Sequence, residues 1–168
     1  MKKNCSLLFT IVMAAFFVSC EPDDVCASST PTTPKLILRF YDAENPNEPK
    51  TVENLAIQGI ENELIYSIST VDSLAVPLKS QSTSTSFALT KNYSNSTDQE
   101  QSEDQITNQI NFIYTVEEIY VSRACGFKAQ YELTEASIEP DSETWIQNLE
   151  IVSPLIENET NAHVKIYH

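Results

Sequence analysis

Glycine is nearly missing from this chain: its 168 residues contain two, Gly59 and Gly126. Phosphate-cradling loops and dinucleotide fingerprints need several glycines at fixed offsets, because only glycine lets the backbone turn sharply and lie close to a phosphate. Nucleotide enzymes built on such loops are thereby excluded. Histidine is as scarce, with His163 and His168 alone, and there is no G-x-S-x-G elbow or H-E-x-x-H helix. The usual serine hydrolases and zinc peptidases therefore lack their parts. Positive charge is also short. The net charge of −14 falls to −16 once Lys2 and Lys3 are set aside. Such a surface repels phosphate backbones and anionic headgroups, which argues against nucleic acid and against electrostatic membrane binding.

What is present begins with a leader. Lys2 and Lys3 precede the apolar run LLFTIVMAAFFV, residues 7–18, the layout of a secretory signal peptide. The run is short of the roughly 20 residues a permanent spanning helix needs. Its end, FVSC (Phe17 to Cys20), resembles the bacterial lipobox, although Phe17 departs from the usual Leu, Val or Ile. In that motif the cysteine thiolate accepts a diacylglyceryl group and the peptide bond before it is cut, so residues 1–19 are the expected signal peptide and Cys20 the lipidation site. Cys5 is lost with the leader. More than one acyl chain, at about 0.8 kcal/mol per buried methylene, anchors a protein stably. Next comes EPDD, Glu21 to Asp24, which resembles the surface-export signal of Bacteroidota lipoproteins. A plain solvated spacer is the competing reading. ASSTPTTPK (27–35) follows, with Pro31 and Pro34 stiffening an otherwise wet segment. Residues 20–34 are thus read as an acidic, Pro/Thr-rich tether to an outer-membrane anchor.

From Lys35 onward the apolar period is two. LILRFY sets Leu36, Leu38 and Phe40 against Ile37, Arg39 and Tyr41; INFIYTV sets Ile110, Phe112, Tyr114 and Val116 against Asn111, Ile113 and Thr115. In FKAQYEL, Phe127, Ala129, Tyr131 and Leu133 form the dry face opposite Lys128, Gln130 and Glu132. Weaker strands are expected at 54–58, 64–68, 73–78, 86–89, 119–122, 145–152 and 163–167. Short strands at regular spacing predict an all-β fold, an antiparallel β-sandwich of about 8–9 strands, immunoglobulin-like or related. It would form one domain over 35–168. Pro77 lacks the N–H a ladder needs, so SLAVPL should lie at an edge or end there. The polar run at 91–105 reads as a long loop inserted between two strands.

Two cysteines remain once the leader is gone and Cys20 is lipidated. An exported protein meets an oxidising environment, so Cys26 and Cys125 are expected to form a disulfide. The competing reading is a reactive thiol at Cys125, but no histidine lies near it in sequence. No metal or other cofactor is expected, and His163 sits in a strand, where histidines are usually packed or solvated. Acidic pairs that could serve glycoside hydrolysis, Glu117 with Glu118 or Asp98 with Glu100, fall at a turn or in the polar loop. No catalytic residue is assigned. DSL (Asp72 to Leu74) resembles the O-glycan acceptor sequon of exported Bacteroidota proteins, which makes Ser73 a candidate modification site beside the alternative of a plain solvent-facing serine.

The order lipobox, second cysteine, TPKLILRFYD (33–42), SLAVPL (73–78), ACGF (124–127) and HVKIY (163–167) resembles an uncharacterised family of small Bacteroidota lipoproteins, known as a domain of unknown function. The resemblance implies location and fold and brings no activity. The expectation is a non-enzymatic, lipid-anchored envelope protein, surface-exposed or periplasmic, that presents loops or a sheet edge to an unknown envelope protein or glycan. A structural or assembly accessory of the outer membrane is the alternative, and a hydrolase ranks below both. Protease accessibility on intact cells separates the first two, since surface display favours a binding module and a periplasmic face an accessory.

Overall fold

The computed structural model describes residues 25–62, 65–94 and 104–168. The leader, Cys20, the EPDD stretch and most of the polar loop lie outside the described residues. Ten strands run in chain order: β1 Leu36–Tyr41, β2 Val52–Gly59, β3 Ile65–Val71, β4 Ser73–Val76, β5 Ser84–Lys91, β6 Ile106–Ser122, β7 Gly126–Ile138, β8 Asn148–Ile151, β9 Leu155–Ile156 and β10 Val164–Tyr167. They form two sheets, β4-β1-β10-β8 and β3-β2-β5-β6-β7-β9. No helix occurs among the described residues, and the fold is an all-β sandwich.

Alternation explains the core. In β1, Leu36, Leu38 and Phe40 are fully buried while Ile37 and Arg39 look outward. Across the larger sheet, β5 and β6 pair Phe87 with Ile110 and Thr85 with Phe112. Phe87 and Phe112 pack with ring centroids 6.4 Å apart, and Tyr114 meets Tyr131 edge to face at 5.3 Å. Each such side chain contributes about 1.5–3 kcal/mol on leaving water. The smaller sheet has β1 and β10 as its inner strands, which run parallel from Leu38↔Val164 to Tyr41↔Tyr167. Every other pairing with a described register is antiparallel.

Several local expectations change. The two segments expected at 110–116 and 119–122 are one strand, because an exposed stretch such as Glu117–Glu118 continues a ladder without needing a buried face. Residues 145–147 are not strand: Trp145 and Ile146 are buried ahead of β8, and their N–H groups bond a side chain. The two-residue β9, which raises the count to ten, is too short to show a period; it is held by Tyr131↔Ile156 and Glu132↔Leu155. Pro77 behaves as expected, with β4 ending at Val76 and lying at a sheet edge. Phe127, assigned to the dry face, is 65% exposed. It belongs to a small compact unit made of Tyr120–Phe127 and the described part of Met1–Thr30, which among the described residues contains no second sheet to cover it. The other unit comprises Pro31–Ile119 and Lys128–His168.

Candidate functional site

The outer face of the four-stranded sheet carries a row of polar residues that the register places side by side. Arg39 on β1 lies opposite Ser73 on β4 and Lys165 on β10, and Lys165 lies opposite Glu150 on β8. Two cations directly across neighbouring strands repel each other. Among the described residues neither has an ion-pair partner, and the buried Arg39 Nε has no hydrogen-bond partner. Tyr41 instead receives both. Its ring centroid lies 5.8 Å from the Arg39 guanidinium carbon and 4.8 Å from Lys165 Nζ, so the ring face screens the pair. Glu150, the nearby anion, is engaged elsewhere: the Tyr167 hydroxyl donates to its Oε2 at 2.5 Å. That bond to a carboxylate is the main reason the phenol is pushed up to about 12.

Beside this row opens a groove of about 410 Å³, between β4 on one side and the 159–162 turn on the other, with Arg39 and Ser73 on its wall. The turn is placed by His163. Ile37 N–H donates to His163 Nδ1 at 3.0 Å, and His163 N–H donates to Ile37 O at 2.9 Å. Lys35 N–H donates to Glu159 Oε1 at 2.9 Å. Burial holds the His163 imidazole below its ordinary range, which keeps Nδ1 a free lone pair able to accept. His163 is thus a backbone clamp. Ser73 is exposed and its hydroxyl donates to Leu38 O at 3.3 Å. The lining holds one cation, Arg39, with the carboxylates of Asp72 and Glu159 and the side chains of Ser73, Thr160 and Asn161, a mixed set of donors and acceptors suited to a hydroxyl-rich group, with the turn as its rim.

The second candidate region is the β6–β7 tip. Cys26 and Cys125 are bonded, with Cα atoms 4.9 Å apart and a sequence separation of 99. Ser122 Oγ accepts from Cys125 N–H at 3.1 Å, and Gly126 follows at φ +72°, a conformation that a side chain would strain. Tyr120 and Phe127 meet edge to face at 5.4 Å. The disulfide removes the reactive-thiol reading of Cys125.

Other residues named from sequence are not brought together. Glu117 and Glu118 are neighbours on β6, so they point to opposite faces and cannot flank one bond. Asp98, Glu100 and Cys20 lie outside the described residues. Among the described residues no three of His, Cys, Asp and Glu gather as metal ligands. Sequence reading passed over the Arg39–Lys165 pairing, because nothing local reveals that β1 and β10 are neighbours. One signal was available: the chain has only two arginines, Arg39 and Arg123, and an arginine inside an apolar strand of so acidic a protein is conspicuous.

Residues 54–168 match the profile of a Family of unknown function (DUF6452). No curated protein and no solved structure matches the chain.

Proposed function

For a chain that belongs to DUF6452, whose description carries no activity, we propose a lipid-anchored cell-envelope protein whose sandwich is a non-enzymatic binding module for an envelope protein or glycan. The observation that carries the binding role is the Arg39–Lys165 pair: two adjacent cations left without counter-ions beside a groove, in a protein of net charge −14. Arg39 lines the groove beside Asp72, Ser73, Glu159 and Asn161, and a hydroxyl-rich ligand there would bond to its guanidinium and to the neighbouring acceptors. The anchor is supported by the cysteine pattern. With Cys26 and Cys125 bonded and Cys5 inside the leader, Cys20 is the cysteine left for acylation, and a disulfide fits an oxidising compartment outside the cytosol. The resemblance to Bacteroidota lipoproteins makes the outer membrane the proposed location and the exposed Ser73 a proposed O-glycan acceptor. A glycan on Ser73 would extend over the groove mouth.

Two variants test the reading. Cys20→Ala should retain the leader and incorporate no labelled fatty acid; normal processing and labelling would remove the anchor. Arg39→Gln, Lys165→Gln should lose most of the partners that crosslinking on intact cells recovers with the wild type. An unchanged set would remove the groove as the binding surface. Intact mass decides the modification, since equal masses for wild type and Ser73→Ala, apart from the substitution, exclude a glycan there.

A further inference from the structure

The β6–β7 tip carries a feature that the groove does not use. Tyr120 and Phe127 pack against each other yet remain 59% and 65% exposed, and Val25, beside Cys26, is 79% exposed. Apolar side chains gathered in water around one turn mark a surface meant to be covered. Charge sets the same stretch apart. From Ile119 to Tyr131 there is no Asp or Glu, whereas Arg123 and Lys128 are present; Glu117 and Glu118 end the acidic sequence just before it. Within the hairpin the repulsion between acidic residues and a headgroup layer is therefore lowest at this turn, and the nearest carboxylates of the tether are Glu21, Asp23 and Asp24, ahead of Cys26.

The disulfide decides what can reach the tip. It holds Cys26 against Cys125 with Cα atoms 4.9 Å apart. Cys20 lies six residues before Cys26, so even a fully extended chain separates the two by no more than about 22 Å. A lipid on Cys20 would keep this turn within that distance of the bilayer, whatever the rest of the protein does.

We infer that the Tyr120–Phe127 tip inserts into the interfacial layer of the lipid bilayer. The inference rests on the acylation of Cys20 proposed above. Tyr120 presents an apolar ring with a polar end suited to the headgroup level, Phe127 supplies apolar area, and Arg123 reaches phosphates while its stem stays among the chains. The acyl chains anchor the protein, and the tip gives it a fixed orientation.

The test uses full-length protein from a host that acylates it, with the acyl group verified by intact mass, reconstituted in vesicles of phosphatidylethanolamine and phosphatidylglycerol with brominated acyl chains. Trp145 is buried, with its indole N–H bonded to Leu89 O, so the wild type supplies a background that the bromines do not quench. Phe127→Trp should shift to the blue on reconstitution and lose intensity to the brominated chains. Tyr120→Trp serves as a second, independent probe and should do the same. Acylated, vesicle-bound protein whose added indoles emit as in water would overturn the inference alone and leave the aromatic pair to a protein partner. Absence of the acyl mass would overturn the anchor, and the inference with it.

Discussion

The base and the tip of the β6–β7 hairpin are built from the same two strands with the same alternating sequence, yet they are held by different forces. At the base, Phe112, Tyr114, Tyr131 and Leu133 are buried in a core that includes both sheets. At the tip, Tyr120 and Phe127 continue an apolar spacing outside that core, and a covalent bond from Cys125 to Cys26 adds to the ladder and the local contacts of the turn. A period of two therefore reports a strand and its two faces; whether a face becomes core depends on a second layer to cover it. The base should respond to changes in packing and hydrogen bonding, and the tip chiefly to redox state and to what covers it.

The sharpest way to break the base is through Asn108. It is fully buried, and its Oδ1 accepts from Trp145 N–H at 2.8 Å, Ile146 N–H at 3.0 Å and the Thr144 hydroxyl at 3.0 Å. Its Nδ2 donates to Glu143 O at 3.0 Å. One amide thus satisfies an irregular segment that has no ladder of its own. Asn108→Ala leaves two buried N–H groups unpaired, at about 1–3 kcal/mol each, so a loss of about 2–6 kcal/mol is expected in chemical denaturation. A loss below about 1 kcal/mol would show that the segment does not depend on this side chain.

Next in size is the tip's own bond. Cys26→Ser, Cys125→Ser should lower stability by about 2–4 kcal/mol, below the chain-entropy limit of about 4.7 for a loop of this length. The sandwich has a separate hydrophobic core, so the variant should stay folded at room temperature with a lower thermal midpoint. Each single variant should expose one titratable thiol. An unchanged midpoint would mean that the cross-link constrains nothing in the unfolded chain.

Acidification probes the base from another side. Burial holds both His163 and His168 below the ordinary imidazole range. His168 packs edge-on against Phe40 and Trp145. The unfolded chain then takes up protons first. Stability is complete above about pH 6.5 and falls as the pH drops towards the lowered native values, then levels off. Asp42, lowered chiefly by its bond to Lys50, and Glu61, lowered by Lys79, act in a separate window, below the usual carboxylate values. The urea midpoint should fall between about pH 7 and pH 5 in the wild type and stay level in His163→Gln, His168→Gln. A slope that survives in the double variant would assign the effect to other groups.

The smallest expected effect is at the exposed ring pair. Tyr120→Ser, Phe127→Ser should change the stability of the free protein by no more than about 0.5 kcal/mol, since surface substitutions away from special features rarely do more. A loss comparable to that of Asn108→Ala would show that the pair is packed after all and would erase the contrast between base and tip.

The strands of the core were legible because their constraint is local. Leu36, Leu38 and Phe40 alternate with outward residues, and that alternation survives into the fold. Pro77 announced the end of β4 by its missing N–H. Trp145 and Ile146 misled, since their apolar pair continued into NLEI and read as strand, whereas a distant amide caps them. Phe127 misled for the opposite reason, having the right period and no covering layer. In the polar row beside the groove, Ser73 stood out by its local sequence. Its neighbour Lys165 did not, because the two are joined through Arg39 across three strands drawn from opposite ends of the chain.

The sequence by itself determined the β class, the acidic surface, the scarcity of catalytic groups and the two cysteines most apt to pair. All of these follow from composition or from contacts spanning a few residues. Only the tertiary structure decided that β1 and β10 run parallel, that Arg39 meets Lys165, that Asn108 bonds the 143–146 segment, and that the hairpin's aromatic tip is left outside the core. These depend on which distant strands lie side by side. Many pairings can satisfy the same alternation, and the choice among them is made by how the whole chain buries its apolar faces and partners its buried polar groups.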